Sequence, residues 1–190
     1  MIKKRLFTKI LMMLFLAAQM GCVRFIILHD TLTAEEHNDL GVAYLKEKEF
    51  EAAEKEFKRA IKKDRYYWLA YYNIGTLYLQ INKEKEAEHY FYKAIVYNHE
   101  CADAYNNLAL TELKQDDIRH AFYFIKLALE YAKEGRYRYL DTLATIYEKE
   151  SNHEEACKAL HASSEAAPET EKEAYQSRYK QKCTKLFSND

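Results

Sequence analysis

The chain has 190 residues, a formal net charge of −1, 48% apolar residues, and only 4 Gly and 1 Pro. That length suffices for one well-buried domain, and so little Gly and Pro excludes a turn-rich β architecture. The charge balance leaves no electrostatic footprint for nucleic acid, so no nucleic-acid partner is expected.

Residues 1–21 read as an export leader. Lys3, Lys4, Arg5 and Lys9 make a basic start, Ile10 to Ala18 is an apolar run, and Gly21-Cys22 follows. The uncharged stretch stops at Arg24, short of the roughly 20 residues a spanning helix needs. A small residue directly before Cys22 resembles the lipobox of bacterial lipoproteins, although Gln19 and Met20 stand where that motif has Leu and Ala, Ser or Thr. The resemblance implies that Cys22 becomes the lipidated first residue of the mature chain. Plain secretion and an uncleaved anchor are the alternatives. Val23 is not Asp, which implies an outer-membrane lipoprotein facing the periplasm. Residues 22–33 form a short tether, and its apolar patch Phe25 to Leu28 is expected to cover the open face of the first repeat.

Thr33-Ala34-Glu35-Glu36 reads as a capping box and predicts a helix start. From there one pattern recurs. Tyr71, Ile74-Gly75 and Tyr78 are followed by Ala87, Phe91 and Ala94. The upstream copy is His37, Leu40-Gly41 and Tyr44, then Ala53, Phe57 and Ala60. Downstream come Tyr105, Leu108-Ala109, Ala121, Ile125 and Ala128. The fourth copy is Leu140, Leu143-Ala144, Tyr147, Ala156 and Leu160, closing at Pro168. The small residues Gly41, Gly75, Ala109 and Ala144 lie 34, 34 and 35 residues apart. This period, with its residue types, resembles the tetratricopeptide repeat over residues 34 to 168. The resemblance implies an all-α, right-handed superhelix of about four helix-turn-helix repeats, framed as 34–67, 68–101, 102–136 and 137–170.

The spacing supports this on physical grounds. Apolar residues recur at i, i+3/i+4 and i+7 within each half, the helical period. Two short helices bury their inner faces only where they approach to about 8–10 Å, which Gly75 and Ala87 permit while Tyr71, Ile74, Tyr78 and Phe91 fill the surrounding space. One pair cannot cover its own apolar face, so the next stacks on it. Glu112 stands where the pattern has Tyr and is expected to reach solvent or a basic partner, because an unpaired buried carboxylate is costly. Glu171 to Phe187 reads as a capping helix with Tyr175, Tyr179, Cys183 and Leu186 on one stripe, followed by a tail to residue 190.

The family resemblance places the first helix of each repeat on a concave wall that holds an extended or helical peptide. It implies Asn38 and Val42 from the first repeat, Leu69, Tyr72, Asn73 and Thr76 from the second, and Asn106, Asn107, Leu110 and Lys114 from the third. Arg138, with Asp141, Thr145 and Lys149, comes from the fourth. Asn73 and Asn107 are also common structural choices at their repeat position. A clamp for a C-terminal carboxylate is not expected, since Asn38 and Asp103 stand where Lys is needed and Val42 where Asn is. His89, Tyr92 and Val96, with Tyr123, form an aromatic strip on the outer helices. It offers either a contact surface or ordinary exposed tyrosines.

Cys157 and Cys183 lie nearly equal distances from the turn near Pro168 on helices expected to be antiparallel. They read as a disulfide pinning the cap or as two free thiols. No enzyme, metal or cofactor is expected. His153-Glu154-Glu155-Ala156-Cys157 starts like a zinc-protease helix but has Cys157 in place of the second His, and the seven His show no ligand spacing. The resulting expectation is a membrane-tethered scaffold or adaptor for a protein partner. It is similar to small tetratricopeptide-repeat outer-membrane lipoproteins such as the pilotins of type IV pili. The alternative is a structural homo-oligomer built through the aromatic convex face.

Overall fold

The computed structural model describes residues 30–187, with side chains described as far as Cys183. The leader, Cys22 and the Phe25–Leu28 patch lie outside the described residues. Among those residues there are nine helices and no strand. The first pair is α1 (Ala34–Lys46) with α2 (Phe50–Lys63), and the second α3 (Trp68–Gln80) with α4 (Glu84–Tyr97). The third is α5 (Ala102–Lys114) with α6 (Ile118–Tyr131), the fourth α7 (Arg136–Lys149) with α8 (His153–Ala166). A last helix, α9 (Glu169–Phe187), packs on α8.

The first helix starts at a capping box. The Glu36 amide donates to Thr33 Oγ1 at 3.1 Å and the Thr33 amide to Glu36 Oε2 at 2.8 Å. Every turn inside a pair is built alike. Lys48, Asn82, Asp116 and Ser151 take the left-handed conformation, with φ from 55° to 63°. The next amide then reaches back to the first helix, as Lys83 N–H does to the Tyr78 carbonyl at 2.9 Å. This satisfies carbonyls that a helix end leaves orphaned.

Two boundaries differ from the expected frame. Arg136 opens α7 and does not close the third repeat, because Gly135 at φ 65° turns the chain just before it. Leu140, the expected core residue, is half-buried, and Tyr139 beside it is buried, as Ala70 and Ala104 are at the matching place of the repeats before it. The cap starts at Glu169, not Glu171, since the Pro168 carbonyl already accepts the Glu171 and Lys172 amides, each at 2.9 Å.

The core runs along the stack. Phe57, Ile74, Leu77, Phe91, Leu108, Ile125 and Ala144 are fully buried. The close approach at Gly75 is to an aromatic ring. A β-carbon on Gly75 would stand 2.6 Å from Phe91 Cε1, and one on Gly41 would stand 2.5 Å from Phe57 Cε1.

Candidate functional site

The inner wall is formed by α1, α3, α5 and α7, and the structure sorts its expected residues into two groups. Asn38 and Asn73 are not available to a ligand. They are 2% and 9% exposed, and Asn73 Nδ2 donates to Asn38 Oδ1 at 2.7 Å. Each amide satisfies the other where α1 crosses α3, and a buried amide without such a partner would be costly. This corrects their assignment to the open groove.

Val42, Leu69, Tyr72, Thr76, Asn106, Asn107 and Leu110 remain half-buried. They surround α3, whose segment carries no charged residue. The Tyr72 ring lies 5.9 Å from Phe91, so the core fixes its pose. Burial holds its hydroxyl above the usual phenol range, and the Asp103 charge pushes the same way. Thr76 turns its hydroxyl inward, donating to the Tyr72 carbonyl at 3.1 Å. Asn106 Oδ1 is buried and has no hydrogen-bond partner among the described residues, so this amide can still accept one.

Charge sits at the edges of this band. Lys114 pairs with Glu84 at 3.5 Å. Arg138 Nη2 lies 3.2 Å from Asp103 Oδ1, which also accepts the Tyr139 hydroxyl at 2.9 Å, and the guanidinium lies 5.6 Å from the Tyr139 ring centroid. A β-carbon on Gly135 would stand 2.6 Å from Arg138 Nη2, so this glycine leaves room for the arginine. At the far end the wall is closed. Arg178 of α9 bonds Asp141, and its Nη2 donates to Thr145 Oγ1 at 3.0 Å. Lys182 reaches Glu148 at 3.3 Å, while Lys149 pairs with Asp116 at 2.6 Å. Asp141 and Thr145 are therefore covered by the cap, which corrects their placement on an open wall.

These contacts between repeats were missed when each repeat was read alone. Their signal is present in the sequence, because complementary residues recur about one repeat apart: Asp103 with Arg138, Glu148 with Lys182, and Glu100 with Lys133.

On the outer face, Val96 is 76%, Tyr123 58% and Tyr92 42% exposed, and the Tyr92 ring lies 6.1 Å from that of Phe124. Cys157 and Cys183 form a disulfide with Cα atoms 5.7 Å apart, and Cys101 is a buried free thiol. His153 and Glu154 are exposed. His120 is brought to two acidic residues. Ligand atoms of Glu112, Asp117 and His120 lie within 4.8 Å of one another across the α5–α6 turn. Two of the three already make a helix cap. Asp117 accepts the His120 amide at 3.1 Å and its ring Nδ1–H at 2.8 Å, which raises the imidazole and lowers the carboxyl from their ordinary values. Glu112 is only half-buried. Its carboxyl is raised first by burial and then by Glu88, with His120 opposing.

Comparison with known proteins agrees with the geometry. Residues 34–67 and 69–98 each match a model of the tetratricopeptide repeat. No curated protein matches the sequence. A crystal structure of MamA superposes with a TM-score of 0.61 at 24% identity, covering 77% of this chain and 81% of that one. A second crystal structure of MamA protein gives 0.61 at 17% identity, covering 83% and 95%. MamA residues 41 to the end, from Desulfovibrio magneticus RS-1, give 0.60 at 19% identity, covering 70% and 75%. At these identities the likeness bears on fold alone. The described residues form an all-α solenoid, and those from 34 to 98 carry tetratricopeptide repeats.

Proposed function

We propose that the chain is a non-enzymatic adaptor that holds a peptide segment of a partner protein along the α3–α5 part of its inner wall. One observation carries this reading. The α3 segment carries no charged residue, Leu69 and Tyr72 on it and Leu110 on α5 are half-buried, and the buried Asn106 carbonyl of α5 is unpaired. Apolar shelves supply affinity and a buried amide acceptor sets orientation. Arg138 bounds the site on one side and Lys114 on the other.

The adaptor acts at a membrane, tethered through acyl chains on Cys22 and working in an envelope complex such as pilus assembly. The Cys157–Cys183 disulfide supports an oxidising compartment such as the periplasm. A photoreactive residue at position 72, in intact cells, should capture a partner protein. Capture that is unchanged when the residue is moved to the outer face at position 123 would overturn the groove.

Self-association through the convex face is the second reading, favoured by exposed Tyr92, Val96 and Tyr123. A monomer in size measurement of the delipidated chain supports the adaptor, and a concentration-dependent dimer supports assembly.

A further inference from the structure

The cap α9 is an unusual closing helix. Among its described side chains only Cys183 is buried, at 1% exposure. Its other apolar contacts come from two half-buried rings: Tyr175 lies 5.1 Å from Tyr137, and Tyr179 lies 5.1 Å from His161. The rest of its grip is polar: Arg178 on the part-buried Asp141, Glu171 accepting the Tyr137 hydroxyl at 2.8 Å, and Lys182 reaching Glu148. Of these, the exposed pairs contribute little to stability. Packing beside α8 is also incomplete. A cavity of about 410 Å³ lined by Glu148, His153, Leu160 and Lys182 reaches Cys157 from one side. A second, of about 470 Å³, reaches it past Lys158, His161 and Tyr179. The covalent bond therefore adds to the hold on the helix, and Cys157 lines both openings.

We infer that the disulfide is a redox latch, whose reduction frees α9 and lengthens the inner wall by the surface α9 now covers. That surface comprises Asp141, Thr145 and Glu148 of α7, an acidic extension to the α3–α5 band. The chemistry is thiol–disulfide exchange. A thiolate of an external dithiol attacks Cys157 Sγ, the Cys157–Cys183 bond breaks, and Cys183 leaves as a thiolate that takes up a proton. The second thiol of the reductant then closes its own disulfide, releasing Cys157. The bridge closes a separation of 26 residues, for which loop entropy alone favours the closed state by roughly a few hundredfold. The functional consequence rests on the groove reading; the release of α9 does not.

Hydrogen exchange of the full chain, with and without dithiothreitol, tests the latch. Residues 169–187 should exchange at least about tenfold faster when reduced, with residues 102–131 unchanged. Cys183→Ser should reproduce the reduced pattern without reductant. Equal protection of residues 169–187 in both states overturns the latch and leaves the groove standing. Released α9 with capture from position 72 absent in both redox states would overturn the groove alone.

Discussion

The ring of Phe91 occupies the space where a side chain on residue 75 would begin, 2.6 Å from the site of that missing β-carbon. The first repeat repeats the relation with Gly41 and Phe57. Where the small residue is alanine the large one shrinks. Ala109 shares its core with Ile125, and Ala144 shares its core with Leu160. The two positions thus vary together along this one chain, holding the volume of each helix crossing nearly constant.

Gly75→Ala should accordingly destabilise the chain by about 1–2 kcal/mol. Overpacking costs roughly 1–3 kcal/mol, offset in part by the up to ~1 kcal/mol that alanine gains over glycine within a helix. Combined with Phe91→Ile, it should cost less than the sum of the two single changes by about 1 kcal/mol, because they are in contact. Urea denaturation of the four proteins in the cycle measures this. Strict additivity would show that the crossing is not set by this pair.

Asn38 and Asn73 permit a test that separates fold from binding. Each alanine substitution leaves the other amide buried and unpaired, which costs about 1–3 kcal/mol. The double substitution removes both groups, so it should cost clearly less than the two singles together. Partner capture from position 72 should survive in the folded double variant. Additive losses would mean that the two amides do not bond across α1 and α3.

The repeat frame was legible because it depends on local spacing. The i, i+3, i+4 rows and the 34-residue step follow from helix geometry and stacking alone. The inner wall was only partly legible, for a reason visible at Asn38. Its exposure depends on how far α3 leans over α1, a relation between residues 35 positions apart that no single repeat contains. Asp141 and Thr145 are a second instance, covered by Arg178 from a helix outside the repeats. Tyr139 is a third: it is buried where the repeats before it bury the small Ala70 and Ala104, a match that residue type hides.

Cys101 should be inert while the chain is folded. Burial pushes its thiol up to about 11, with Asp103 adding to the rise, so almost no thiolate exists at pH 8. Iodoacetamide at pH 8 should leave it unmodified in the native chain and modify it after urea unfolding. The sign for stability follows. The unfolded chain loses this proton at lower pH than the folded chain does, so the contribution is intact below about pH 9. It falls as the pH rises from there through about 11. Rapid alkylation without unfolding would show that Cys101 is reachable in the fold.

The Asp117–His120 cap predicts a pH response that can be read at one residue. The hydrogen bond and charge of Asp117 raise the imidazole above its ordinary range. Its share of stability is present below the unfolded histidine midpoint and is lost as the pH climbs through the raised, folded one. In Asp117→Asn the His120 midpoint, followed by proton resonance shifts, should drop toward that of an ordinary exposed histidine. An unmoved midpoint would mean that the carboxylate does not hold the ring.

On the proposed lipid tether, membrane attachment would turn on the sulfur of Cys22. Each acyl methylene buried in a bilayer contributes about 0.8 kcal/mol, so one chain binds reversibly and two bind stably. The apolar run from Ile10 to Ala18 is too short to cross a bilayer, so an uncleaved leader is the weaker anchor. Cys22→Ser should therefore move the protein from the membrane fraction to the soluble fraction, with the helical content and the Cys157–Cys183 bridge unchanged. Attachment that persists in Cys22→Ser, yet is lost when the Ile10 to Ala18 run is made polar, would instead assign the anchor to the leader. The solenoid would then still stand at a membrane, but held by an uncleaved segment and not by lipid.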